Sequence, residues 1–228
     1  MADTPEQKTT DARTAWDEKL HQAQALMAAR RGRPSALIEV AAQHPLVDGV
    51  RPNEEFEARL DRAHELYAQL IADGLSVEMY VPGSRHMFRG ITDKISLSQA
   101  GSHYLITCGI PAAHIRGEDL NHRYKGADGC YNSADECFVT ASHFKDGAFG
   151  TLLAVLSPGQ LHRKMLHYIQ FGVLPLPYTA PTLASFHNYV HEAFVELPHV
   201  LFEDPDLQGP NSVKANRLRR ERRPEPTG

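Results

Sequence analysis

Cysteine is scarce in this chain of 228 residues. Only Cys108, Cys130 and Cys137 occur, so an even disulfide framework is impossible, and their spacing fits no common zinc pattern. Tryptophan occurs once. No apolar run approaches the roughly 20 residues that would span a bilayer. The first twenty residues, MADTPEQKTTDARTAWDEKL, lack the apolar core of a secretory signal. Charge of one sign is also lacking: the net value is −4, so no overall field draws the whole chain onto nucleic acid or anionic lipid. Several motifs are missing too. Without GxGxxG or GxxxxGK[ST], ordinary dinucleotide and P-loop sites are excluded, and without GxSxG or HExxH a nucleophile elbow and a zincin site have no footing. These absences leave a cytoplasmic protein with reduced thiols and no membrane segment.

What is present is a hydrophobic content of 42%, enough for a substantial core. Residues 12–30 carry Ala15, Trp16, Leu20, Ala23, Leu26 and Met27 at helical spacing, and RRGRP ends that helix. SALIEVAA, residues 35–42, has the length of a buried strand. Asn53 can cap a helix that presents Phe56, Leu60, Leu66, Leu70 and Ile71 on one broad face and stops at Gly74. LSVEMYV, residues 75–81, alternates as a strand does and is expected to break at Pro82-Gly83.

Ser96 and Gln99 form a capping-box pattern before a helix that runs to Gly109, and HIRGE follows as a short strand. After a polar loop, Ser133 and Glu136 make a second capping-box pattern. TLLAVL, residues 151–156, is continuously apolar, as a central strand must be. SPGQ, Ser157 to Gln160, reads as a third capping box opening a helix that ends at Phe171-Gly172. VLPLPY reads as an edge strand because of its prolines, and a helix is expected over residues 182–197.

Strands alternating with helices predict an α/β fold, a Rossmann-like three-layer sandwich around a mostly parallel sheet. The expected division is an N-terminal helical extension over 1–34, the sandwich over 35–203 and a basic tail over 204–228. KANRLRRERR in that tail has no aromatic platform beside it and reads as a solvated segment rather than a nucleic-acid interface.

In such sheets ligands bind outside the carboxyl ends of the strands, so the strand ends supply the candidates. One end offers Gly83, Ser84, Arg85 and His86. The next offers the adjacent carboxylates of Glu118 and Asp119, followed by Asn121 and His122. Asn132 stands just before a helix start. At the last end Arg163 opposes the helix macrodipole unless an anion lies ahead of the helix, which marks it as an anion or carboxylate contact. His187 and His191 share a helix face, but no third ligand follows and no metal is expected. Cys108 and Cys137 read as packing residues.

In order along the chain, YVPGS, SQAGSHYLITCGIPAAHIRGED, YNSADE and VLSPGQLHRK resemble the ElyC/SanA/YdcF family, also called the DUF218 domain. The resemblance covers roughly residues 36–175, and GIPAAHIRGE is its most specific part. It implies a Rossmann-like fold with a nucleotide-sized cleft, and S-adenosylmethionine binding has been attributed to some members. Gly83 and Ser84 match the family's glycine turn, Glu118 its acidic strand end, Asn132 its asparagine, Ser157 its serine and Arg163 its arginine. The chain departs from the pattern in three places. VAAQHP replaces the glycine turn of the first strand, Gly129 and Tyr131 stand where threonine and glutamate are expected, and Gln160 replaces a histidine. An amide has no useful pKa, so acid–base chemistry through that histidine does not carry over.

The resulting expectation is a small-molecule enzyme that binds a nucleotide-like ligand, with Glu118 as its catalytic carboxylate. The ligand-binding residues would be Gly83, Ser84, Arg85, His86, Asn121, Asn132, Ser157, Gln160 and Arg163. A non-catalytic binding or regulatory module is the alternative, and a nucleic-acid-associated protein acting through its tail is a third. The sequence leaves catalysis, substrate and oligomeric state open.

Overall fold

The computed structural model describes residues 5–42, 45–85, 87–88, 91–119 and 133–180, with a few positions between 190 and 201. The expected helix at 182–197, the His187–His191 pair, Cys130, the tail, and the candidates His86, Asn121 and Asn132 lie outside the described residues or within that sparse stretch.

Five strands form one all-parallel sheet: β1 (Ser35–Val40), β2 (Ser76–Gly83), β5 (Ile115–Asp119), β6 (Thr151–Leu156) and β7 (Leu176–Thr179). Their spatial order is β5-β2-β1-β6-β7. A second, two-stranded antiparallel sheet, β3 (Met87–Phe88) with β4 (Ile91–Thr92), follows β2 in addition to the elements expected from the sequence. The helices are α1 (Pro5–Arg30), α2 (Glu54–Ala72), α3 (Leu97–Thr107), α4 (Ser133–Asp146) and α5 (Leu161–Gln170). The architecture is the α/β sandwich that the alternation of strands and helices predicts.

Side chains alternate across the sheet and build two separate cores. On one face Ala36, Ile38 and Val40 of β1, Val77, Met79 and Val81 of β2, and Leu153 and Val155 of β6 pack against Phe56, Leu60, Ala63 and Leu66 of α2 and Leu97 and Leu105 of α3. On the other, Leu37, Tyr80, Leu152, Ala154 and Leu156 meet Cys137, Ala141 and Phe144 of α4 and Tyr168 of α5. The N-terminal helix lies on this second face, alongside α5. Its last residue, Arg30, is buried and donates to the carbonyls of Phe144, Lys145, Gly147 and Phe149, which closes the C-terminal end of α4.

Three local expectations need correction. β2 does not break at Pro82-Gly83 but runs through it. Beyond Tyr80 its partner among the described residues is β5, with Pro82 opposite Glu118 and Gly83 opposite Asp119, so the missing proline N–H disrupts no described ladder on the β1 side. Ser157 makes no side-chain cap. Pro158–Gln160 form a single 3-10 turn, and α5 begins one residue after it without a capping side chain. Ser133 is the first residue inside α4, not ahead of it, and Glu136 reaches a buried lysine. By contrast, the Ser96–Gln99 capping box forms with both of its hydrogen bonds, and Asn53 Oδ1 accepts from the Phe56 amide at 2.9 Å.

Candidate functional site

The strand order reverses direction between β1 and β6. From β1 the chain crosses over α2 to β2 on one side, and from β6 it crosses over α5 to β7 on the other. The first turns of α2 and α5 therefore lie on opposite faces of the sheet beyond the ends of β1 and β6, the position at which parallel α/β sheets take ligands.

Two groups of candidates flank that position. Gly83, Ser84 and Glu118 are neighbours through the β2–β5 pairing. Ser157, Gln160 and Arg163 sit at the end of β6 and the start of α5. Three strand spacings separate β5 from β6, so Glu118 and Ser157 lie roughly 14 Å apart across the edge, a span of nucleotide size.

Several candidates have structural work at the same place. A Cβ on Gly83 would come within 2.7 Å of Leu97 Cβ and 3.0 Å of the Ser98 amide, so this glycine admits the start of α3. Ser84 is buried and its carbonyl accepts from the Leu97 amide. Arg85 Nε donates to the Asp93 carbonyl at 2.9 Å, which ties the exit of β2 to the approach to α3. Glu118 and Arg163 are both half-buried, and each is engaged in interactions within the protein.

The residues that dominate the electrostatics of this edge were not among the sequence candidates. Lys164, in the first turn of α5, is fully buried and makes two ion pairs: its Nζ lies 2.9 Å from Glu39 Oε1 on β1 and 2.8 Å from Glu136 Oε2 on α4. Burial alone would lower the pKa of this ammonium, but Glu136 and Glu39 outweigh it and hold it above its usual value. Burial raises the pKa of Glu39 despite the opposing pull of Lys164. The second Glu39 oxygen and the Tyr168 hydroxyl are buried without hydrogen-bond partners; each perturbs the other's ionisation, yet they fall short of bonding geometry.

On the opposite face Arg59 of α2 is also buried. Its Nη1 donates to the carbonyls of Ala41 and Ala42, at 2.9 and 3.1 Å, and Glu55 lies 3.8 Å from its Nη2. The sequence did carry a signal for this cluster. Glu39 is a lone charge inside LIEV, and its strand position demands a buried counter-ion. Nothing in the sequence identified Lys164, rather than its neighbour Arg163, as that partner.

Deeper in α5, His167 is buried, and its Nδ1 lies 2.8 Å from Gln170 Oε1. Burial pushes its pKa down to about 4, which keeps the ring neutral. Burial also raises the thiol pKa of Cys137, a poor setting for a nucleophile. Among the described residues no group of three or more His, Cys, Asp or Glu could hold a metal ion, and no helix is long and apolar enough to cross a membrane. An open groove of about 270 Å³, lined by Gln22, Ser142, Lys145 and Gln170 among others, lies by the C-terminal ends of α4 and α5, away from the strand ends.

Comparison with protein-family models found no match to this chain, and comparison with curated proteins found none either.

Proposed function

We propose that the chain is a cytoplasmic small-molecule enzyme that binds a nucleotide-like ligand, S-adenosylmethionine being the first candidate, across the C-terminal ends of β2, β1 and β6. One observation carries this reading: the strand order changes direction between β1 and β6, the place where ligands sit in parallel α/β sheets. The DUF218-like order of YVPGS, GIPAAHIRGE and VLSPGQLHRK supports it, because those segments fall on three strand ends of one edge. Glu118 is the carboxylate proposed for catalysis, and Arg163 the contact for an anionic group.

A melting-temperature screen with nucleotides, S-adenosylmethionine and sugar phosphates tests the binding claim. A ligand at 100 times its Kd stabilises the fold by about 2.7 kcal/mol, and a panel without any shift would sink the reading. With the best ligand, Arg163→Ala should weaken binding by about 1.5–3 kcal/mol, the scale of a charged hydrogen bond. Glu118→Gln should reduce turnover more than stability.

A second reading, binding without catalysis, rests on Gln160 standing where the family pattern has a histidine. Mass spectrometry of ligand incubated with the protein separates the two: a new product supports the enzyme, and quantitative recovery of the bound ligand supports the binding module.

A further inference from the structure

The buried cluster around Lys164 does not end at its ion pairs. In the all-parallel sheet α4 leads back from β5 to β6 and α5 from β6 to β7, so the two helices run in the same direction over one face. They meet near their starts. There Lys164 pairs with Glu136, and the Cys137 thiol donates to the Lys164 carbonyl at 3.7 Å. One turn further along each helix, on the same side, stand Thr140 and Tyr168. Glu39 of β1 uses Oε1 for the Lys164 ammonium, which leaves Oε2 for that next level.

Glu39, Thr140 and Tyr168 all have 0% exposure. Glu39 Oε2 and the two hydroxyls are buried, and none of these three oxygens has a hydrogen-bond partner. Burial raises the Tyr168 pKa most, and Glu39 and Thr140 both act on it at hydrogen-bonding range. Three oxygens therefore gather from β1, α4 and α5 without bonding one another, inside a core otherwise built of Leu37, Cys137, Phe144 and Leu152. A polar group in such a place has given up its hydration and needs a partner in return.

The chemistry of the three oxygens selects that partner. A carboxylate oxygen only accepts, whereas each hydroxyl has a proton to give. A metal ion would offer those protons no acceptor. A water molecule donates to Glu39 Oε2 and accepts from Thr140 and Tyr168 through its two lone pairs. That makes three hydrogen bonds, about the usual number for a buried water.

We infer that Glu39, Thr140 and Tyr168 form an internal binding site for a single water molecule. The bound water extends the Glu136–Lys164–Glu39 joint by one helical turn and ties α4 and α5 to the central strand at a second level. This site is independent of the ligand reading at the strand ends.

A high-resolution crystal structure of the full chain tests it, together with oxygen-17 relaxation dispersion, which counts long-lived internal waters in solution. The crystal should show one density peak about 2.5–3.0 Å from each of the three oxygens. The near-isosteric Thr140→Val/Tyr168→Phe variant takes away two of the three partners, so its count of long-lived waters should fall by one. A Tyr168 hydroxyl bonded directly to Glu39 with no density between them overturns the assignment, and so does an unchanged count in a folded variant. If the variant does not fold, the wild-type density decides alone.

Discussion

The two faces of the sheet solve the same burial problem with different chemistry. Against α2 and α3 the strands present hydrocarbon, and the buried cation there, Arg59 of α2, is held by backbone carbonyls and by Glu55 of its own helix. Against α4 and α5 the hydrocarbon is interrupted by the Glu39–Lys164–Glu136 cluster, which joins one strand and two helix starts through a single ammonium. A hydrocarbon contact is non-directional and tolerates small shifts. An ion pair with zero exposure fixes relative position, and losing one partner strands the other charge in low dielectric. The α4/α5 face therefore has the more specified joint, and it is the face that carries Ser157 and Arg163.

The largest expected effect breaks that joint. Lys164→Met leaves the fully buried Glu39 carboxylate without its counter-ion and should destabilise the fold by about 3–5 kcal/mol in chemical denaturation. Replacing the whole cluster, as Glu39→Leu with Glu136→Leu and Lys164→Met, should recover most or all of that loss, since a packed apolar substitute removes the desolvation penalty. A triple variant as unstable as the single one would show that the cluster contributes net stability. On the opposite face Leu60→Ala should cost about 2–5 kcal/mol through a cavity, and no second substitution at a charged site should rescue it.

His167 sharpens the comparison through pH. Its folded pKa, about 4, lies below the unfolded value near 6.5, so the unfolded state binds the extra proton between those values. Stability is therefore fully present above pH 6.5 and falls as pH drops toward 4, by up to about 3 kcal/mol over the window. Urea denaturation midpoints of wild type and His167→Gln should converge at the acid end if this group carries the slope; parallel curves would refute it.

The smallest effects concern the helix starts. Asn53→Ala removes a formed cap and should cost about 1 kcal/mol, whereas Ser157→Ala removes none and should stay within about 0.5 kcal/mol. Equal losses at the two positions in thermal melts would show that Ser157 caps in solution.

Where local rules were enough, the elements were readable in advance. TLLAVL matches β6 residue for residue, and Gly74 and Gly109, at φ +80° and +95°, end α2 and α3 in the left-handed conformation. The prolines of VLPLPY placed β7 correctly at an edge. Capping was legible at Ser96 and Asn53, whose side-chain oxygens take the amides of Gln99 and Phe56. It misled at Ser133–Glu136, because a buried lysine 28 residues further along the chain takes the glutamate. Of the candidate site, Glu118, Gly83 and Arg163 were legible as strand-end and helix-start residues. The partners of Glu39 were not, because ion pairing across a sheet has no sequence spacing.

The sequence by itself determined the alternation of strands and helices, the parallel sheet that follows from it, and the strand ends from which ligand contacts can come. Those features depend on periodicity and turn chemistry within a few residues. Only the tertiary structure decided that the sheet reverses order between β1 and β6, that Lys164 rather than Arg163 is the buried cation, and that Gly83 accommodates α3. Each of these depends on which distant surfaces meet, and contact energies between segments far apart in the chain leave no local pattern to read.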